Sequence, residues 1–189
     1  MSSSLLQIPV PGERLAFGLD HLLRPTAEAL AFDGRPLPRD LFDELHALMA
    51  VGPGMTDASA TRLVFATSAT AKAGLAEGLD LAGRAAALDA PACAVIAYDR
   101  DFAEQMLAFA AEDGEGRSGL DAPARLRAAV LRNSLLQGAY LAVAARTLGL
   151  EPVFVKAFDA AVVTAALFAE PGFDVIYIAA LGFPAKRVS

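Results

Sequence analysis

The run "DVIYIAALGF", from Asp174 to Phe183, is apolar at nearly every position after its first residue and shows no polar alternation. Strand-forming residues in that arrangement need cover on both faces, so the run predicts a strand with both its faces buried. "ACAVIAYD", Ala92 to Asp99, has the same character and predicts a second buried strand. "TRLVFATS", Thr61 to Ser68, is short, β-branched and aromatic, and reads as a third.

The segments between these runs carry helical signals. "RPLPRDLFDELHALMAVGPG" places Leu41, Leu45, Leu48 and Met49 on one face, with Pro38 and Asp40 near its start and Gly52-Pro53 as a stop. "ATAKAGLAEGLDLAGRAAAL" reads as an Ala-rich helical stretch, and Asp101 is the expected cap of "FAEQMLAFAAE". Asp121 and Pro123 open a long helix that runs to about Leu148, with Gly149 as its left-handed terminator. "EPVFVKAF" reads as a loop or short extended piece, and Asp159 caps "AAVVTAALFAE". Strands separated by helices imply a layered sheet packed between helices, neither a bundle nor a barrel.

A chain of 189 residues, 55% hydrophobic and 20% charged, buries one full core, so residues 1–189 read as one domain with an N-terminal arm over 1–35 and a mobile loop over 113–121. So high an apolar fraction also suggests surface covered by a partner chain, with a homodimer the simplest case. The net charge of -6, with scattered Lys and Arg, argues against nucleic acid. The lone Cys93 suits the core of a reducing compartment, and no run reaches the ~18–20 apolar residues of a membrane helix. A cytoplasmic location is expected.

Several catalytic patterns are missing or misplaced. "GEGRSG", Gly114 to Gly119, spells a dinucleotide fingerprint but follows a predicted helix rather than a strand, so a surface loop is the better reading. His21 and His46, the two histidines, have no ligand partner at metal spacing, and no G-x-S-x-G elbow occurs. The remaining signal is in "RNSLLQGAYLAVAARTLGLEPVFVKAFD". Asn133, Gln137 and Tyr140 recur there at i, i+4 and i+7, while Gly138 to Ala145 is apolar or aromatic on every side and reads as core. Buried amides need partners, supplied by backbone, by water or by a ligand.

Three ordered blocks resemble the flavin-dependent nitroreductase family, and most closely its malonic-semialdehyde-reductase-like branch. These are "LFDELHALMAVGPGMTDASATRLVF", "RNSLLQGAYLAVAARTLGLE", and "KAFD" followed by "VVTAALF". The resemblance implies an α+β, three-layer fold with a mixed β-sheet between helices, built as an obligate homodimer with FMN at the subunit interface. It further implies that NADH or NADPH reduces the flavin, which then reduces a small electrophile, such as an aldehyde, quinone, enone or nitro compound, by a ping-pong route.

Carried over by position, the resemblance assigns cofactor contacts to Arg24 and Thr26 in the arm, to Gly54, Met55, Thr56 and Asp57 after the Gly-Pro turn, and to Asn133 on the long helix. It also assigns them to Lys156 and Ala157 before Phe158, and to Lys186 and Arg187 in the tail. Arg35 is a competing placement for the arm's arginine. Lys156 is the candidate catalytic residue, since a cation beside the ring would favour its anionic reduced form; a solvated loop lysine, or one paired with Asp57, is the alternative. Asp57 stands where the family commonly has Asn, Ala157 where it has Gly, and the arm lacks the usual His-Asn pair. A second reading therefore stays open, a dimer of this fold with weakened or lost FMN binding and a non-redox role.

Overall fold

The computed structural model describes Leu22 and residues 31–52, 60–105 and 122–185, with the side chains of 122–127, 130 and 131 excepted. In chain order the elements are α1 (Arg39–Ala50), β1 (Thr61–Ala66), α2 (Ala69–Glu77), α3 (Leu81–Asp89), β2 (Ala92–Asp99), α4 (Ala122–Thr147), β3 (Glu151–Phe154), α5 (Ala160–Leu167) and β4 (Phe173–Gly182). The strands form one sheet in the order β1-β2-β4-β3. The two runs that lacked alternation, β2 and β4, are its interior strands. The short β3 lies at an edge, the place where Pro152, having no N–H to give a second neighbour, is tolerated.

Each face of the sheet has its own helical layer. Cys93, Val95, Ala97, Ile178 and Ala180 meet Leu75 of α2, Ala87 of α3 and Val163 of α5. Ala94, Ile96, Ala179 and Leu181 point the other way, onto Leu45 and Met49 of α1 and Leu141, Ala144 and Ala145 of α4. The three-layer α+β architecture implied by the sequence is thus present. Complete burial of each Leu, Ile or Val in these clusters contributes roughly 1.5–3 kcal/mol, and the alanines opposite them let the layers approach closely.

Among the described strands every pairing is antiparallel, which corrects the mixed sheet that was expected. A second correction concerns the helices after β1. The Ala-rich stretch after β1 is two helices, because the Asp80 carboxylate accepts from the Gly83 N–H at 2.8 Å and starts a new helix. Gly78 marks the break, where a Cβ would lie 2.8 Å from Val163. One helix would carry the chain back to the start of β1 and set β2 parallel to it; two short helices take it out and back, so Ala66 pairs with Cys93. A third correction concerns the segment after β2. It is helical from Arg100, and its cap is Asp99, whose Oδ1 accepts from Phe102 N–H at 3.0 Å, rather than Asp101.

Gly149 adopts φ 76° and ends α4 as expected, with Leu150 N–H donating to the Ala145 carbonyl at 2.9 Å. The ends of the described chain also meet. Phe32 and Pro184 form an antiparallel bridge, Asp33 N–H donates to the Phe183 carbonyl at 2.9 Å, and Ala185 N–H donates to the Ala31 carbonyl at 3.1 Å.

Candidate functional site

Of the residues assigned from the sequence, Arg24, Thr26, Gly54, Met55, Thr56, Asp57, Lys186 and Arg187 lie outside the described residues, as does "GEGRSG". Asn133, Lys156 and Ala157 are described. The last two form the apex of a tightly pinned turn. Before it, Val155 is buried and its N–H donates to the Ile178 carbonyl at 2.9 Å. After it, the Ala157 carbonyl accepts from Asp80 N–H at 3.1 Å, Phe158 bridges to Leu79, and Asp159 N–H donates to the Gly78 carbonyl at 2.7 Å. The Asp159 carboxylate then accepts from Ala161 and Val162 N–H groups and caps α5.

The side chains of Lys156 and Ala157 are exposed on this rigid turn. Among the described residues Lys156 has no carboxylate within ion-pair distance. No described non-glycine residue has positive φ, so Ala157 stands in for glycine without backbone strain. An exposed ammonium on a fixed apex presents a cation to whatever docks there, and the ordering cost is already met by the fold.

On α4, Asn133 is half-buried, and Ser134 and Gln137 are fully buried against the sheet. The Ser134 hydroxyl has no hydrogen-bond partner among the described residues. Gly138 is required by a close approach, since a Cβ there would lie 2.9 Å from the ring of Tyr177. Tyr140, in turn, lies on Gly52, where a Cβ would stand 2.6 Å from its ring. Gly52, at the end of the described segment that follows α1, therefore packs on α4. One expectation fails here. The segment from Gly138 to Ala145 is not core on every side, because Tyr140 and Val143, with Leu135 and Leu136 before them, are 37–47% exposed. A sheet covers only one side of a helix, and this helix is apolar on both.

At the opposite end of β3 a group of residues appears that the sequence reading overlooked. The Arg146 guanidinium donates from Nη1 to the Leu22 carbonyl at 3.2 Å and from Nη2 to Glu151 Oε1 at 3.1 Å, and both charged side chains are more than nine-tenths buried. The only sequence signal was a single arginine closing an apolar helix, five residues before a glutamate. Nearby, Arg35 stacks 4.2 Å over Phe183 and pairs with Asp33. The Arg35 N–H and guanidinium hold the Asp33 carboxyl below its usual range, so Arg35 is already engaged and is a poorer phosphate ligand than its position suggested.

Other chemistry finds little support. Burial pushes the Cys93 thiol up to about 12, which leaves no thiolate for nucleophilic work at neutral pH. Among the described residues no His, Cys, Asp and Glu group could hold a metal, and no helix is long and apolar enough to cross a membrane. A cleft of about 560 Å³ beside Pro36, Leu37, Arg39 and Phe42, and one of about 300 Å³ between Asp99, Asp101 and Glu170, both lie away from the Lys156 turn. The turn and the outward face of α4 are thus both open surfaces of the chain.

No protein-family model matches the chain. A relative from Stenotrophomonas maltophilia strain K279a, named as an NADH dehydrogenase/NAD(P)H nitroreductase, is 37% identical over 169 residues, which is 89% of this chain and 86% of that protein. Among solved structures, an enone reductase of gut-bacterial fatty acid saturation superposes with a TM-score of 0.71 at 17% identity, covering 89% of both chains. A Staphylococcus epidermidis protein named as an NAD(P)H:FMN oxidoreductase gives 0.68 at 18% identity, over 88% of this chain and 87% of the other. These two likenesses establish a shared fold.

Proposed function

Since the chain belongs to the NADH dehydrogenase/NAD(P)H nitroreductase family and is an oxidoreductase, we propose that it works as an FMN-dependent homodimer, using NADH or NADPH to reduce a small aldehyde, quinone, enone or nitro compound. When bound, FMN would accept the hydride and pass it on. The protein's part is to place and polarise the ring, and the observation that supports this most is the Lys156–Ala157 turn, held rigid on both sides while its two side chains stand clear.

Two described regions support this reading. At the turn, Lys156 would face developing negative charge on the reduced ring, and Ala157 needs no unusual backbone to sit beneath it. About five residues back along β3, roughly 17 Å at ~3.3 Å per residue, the arm and the tail converge near Glu151 and Gly182. An extended mononucleotide would lie between them, its phosphate towards Arg24, Thr26, Lys186 and Arg187. By the same resemblance Asn133 on α4 and the residues Gly54 to Asp57 would contact the ring. The outward apolar face of α4 supports the dimer, because monomers seldom expose contiguous apolar surface of this kind.

The test is direct. Purified protein mixed with FMN and passed through gel filtration should emerge yellow with near-stoichiometric flavin, and should then oxidise NADH or NADPH when given a quinone or nitroarene. Protein that emerges colourless would favour a flavin-free role for the same fold. With flavin retained, Lys156→Ala should lower turnover about 10-fold or more, the scale on which lost electrostatic stabilisation is felt; unchanged turnover would remove Lys156 from the mechanism.

A further inference from the structure

The cleft of about 560 Å³ beside the start of α1 lies away from the Lys156 turn and has no part in the proposed flavin chemistry. Its size falls within the ~300–1,000 Å³ of small-molecule sites. The walls are mostly apolar and come from separate stretches of chain: Pro36 and Leu37 from the segment before α1, Phe42 from the helix itself, and Pro91 from the turn into β2. Most of this wall is fixed from behind. Leu37 packs on the core between α1 and the sheet, the Phe42 ring lies 4.9 Å from that of Phe65, and Pro91 sits against Gly182, where a Cβ would meet it at 2.8 Å. A cavity held open in this way takes a ligand without first having to be ordered.

The polar side chains at the cleft are few. Arg39 supplies a guanidinium and Thr67 a hydroxyl, and no carboxylate is among the described lining residues. On a chain of net charge -6, an acid-free cleft with one cation selects for an anion. The charges around it are already engaged: Arg35 is paired with Asp33 and stacked on Phe183, and Asp40 Oδ1 accepts from the Leu41 N–H at 3.1 Å. Arg39 is not. Among the described residues it has no carboxylate within ion-pair distance. A guanidinium beside an aromatic ring and two prolines suits a planar acid, whose carboxylate takes two parallel N–H donors while its ring packs on Phe42.

We propose that this cleft is a second binding site of the protein, and that it takes a small aromatic carboxylate paired with Arg39 and packed against Phe42. No titratable side chain other than Arg39 is among its described lining residues, so the site holds its ligand and leaves it chemically unchanged.

Naphthoate is the probe, with naphthalenemethanol, which keeps the rings and lacks the charge, as its control. Backbone amide chemical shifts of the full isotope-labelled chain both locate the binding and, on titration, give the dissociation constant. Naphthoate should bind saturably at millimolar concentration or below, shifting the amides of Leu37, Arg39, Phe42 and Thr67 and leaving those from Val155 to Phe158 in place. Arg39→Gln, a change at an exposed position that keeps hydrogen-bonding groups and removes the charge, should weaken naphthoate about 10-fold, the scale of one charge-assisted contact. Its affinity for the alcohol should match that of the wild type. The measurement uses no flavin, so its outcome is independent of whether FMN binds. Absence of saturable shifts up to roughly 10 mM, shifts centred on the Lys156 turn, or an unchanged naphthoate affinity in Arg39→Gln would each overturn the assignment.

Discussion

The two sides of α4 are made of similar residues and meet different surroundings. Towards the sheet, Gln137, Gly138, Leu141, Ala144 and Ala145 are buried, and their sizes are matched to what faces them, a glycine beneath the Tyr177 ring and alanines where the layers come closest. Away from the sheet, Leu135, Leu136, Tyr140 and Val143 are as apolar but stand 37–47% exposed. Residue type alone does not distinguish the faces. The lesson is that the inner face is matched to packing inside one chain, whereas the outer face has a similarly apolar composition and stays partly exposed, which is what the proposed dimer would account for.

This contrast can be broken at either face. The largest loss is expected for Leu141→Ala, which deletes a fully buried side chain between α1 and the sheet. Urea denaturation should show about 2–5 kcal/mol less stability, and a loss under 1 kcal/mol would mean that the inner face tolerates a void. Gly138→Val comes next, because its Cβ would enter the Tyr177 ring. About 1–3 kcal/mol should be lost even though valine is the better helix former, and a stabilised variant would show that the ring moves aside freely. The smallest effect on the fold of the single chain, within about 0.5 kcal/mol, is expected for the outer-face change Leu136→Asp. Its consequence for the proposed dimer should appear in sedimentation as a shift towards monomer. Wild-type protein that sediments as a monomer at micromolar concentration would dissolve the contrast altogether.

Legibility from the sequence followed the range of the interactions. β2 and β4 were readable to the residue or nearly so, since burial on both faces leaves an uninterrupted apolar run. Gly149 and Asp159 were readable because a cap is set by neighbours three or four positions away. The break between α2 and α3 was not, because alanine propensity is the same through it and what decides it is the Asp80 carboxylate together with Val163 across the layer. Of the proposed site, Lys156 and Ala157 were nominated through resemblance to a family and stand on an exposed apex, while the buried Arg146 was not foreseen, because its partner at Leu22 is too remote for any local pattern to reveal.

The interior position of β4 bears on how the molecule comes into being. During synthesis α1 through α5 and three strands leave the ribosome before Phe173 to Gly182 does, yet among the described strands it is β4 that joins β2 to β3. Until it arrives, β1 and β2 form a two-stranded ribbon, which is marginal alone, and β3 has no ladder to enter. The apolar faces of β2, α4 and α5 are then open together, so the nascent chain is most prone to aggregation just before its most hydrophobic strand emerges.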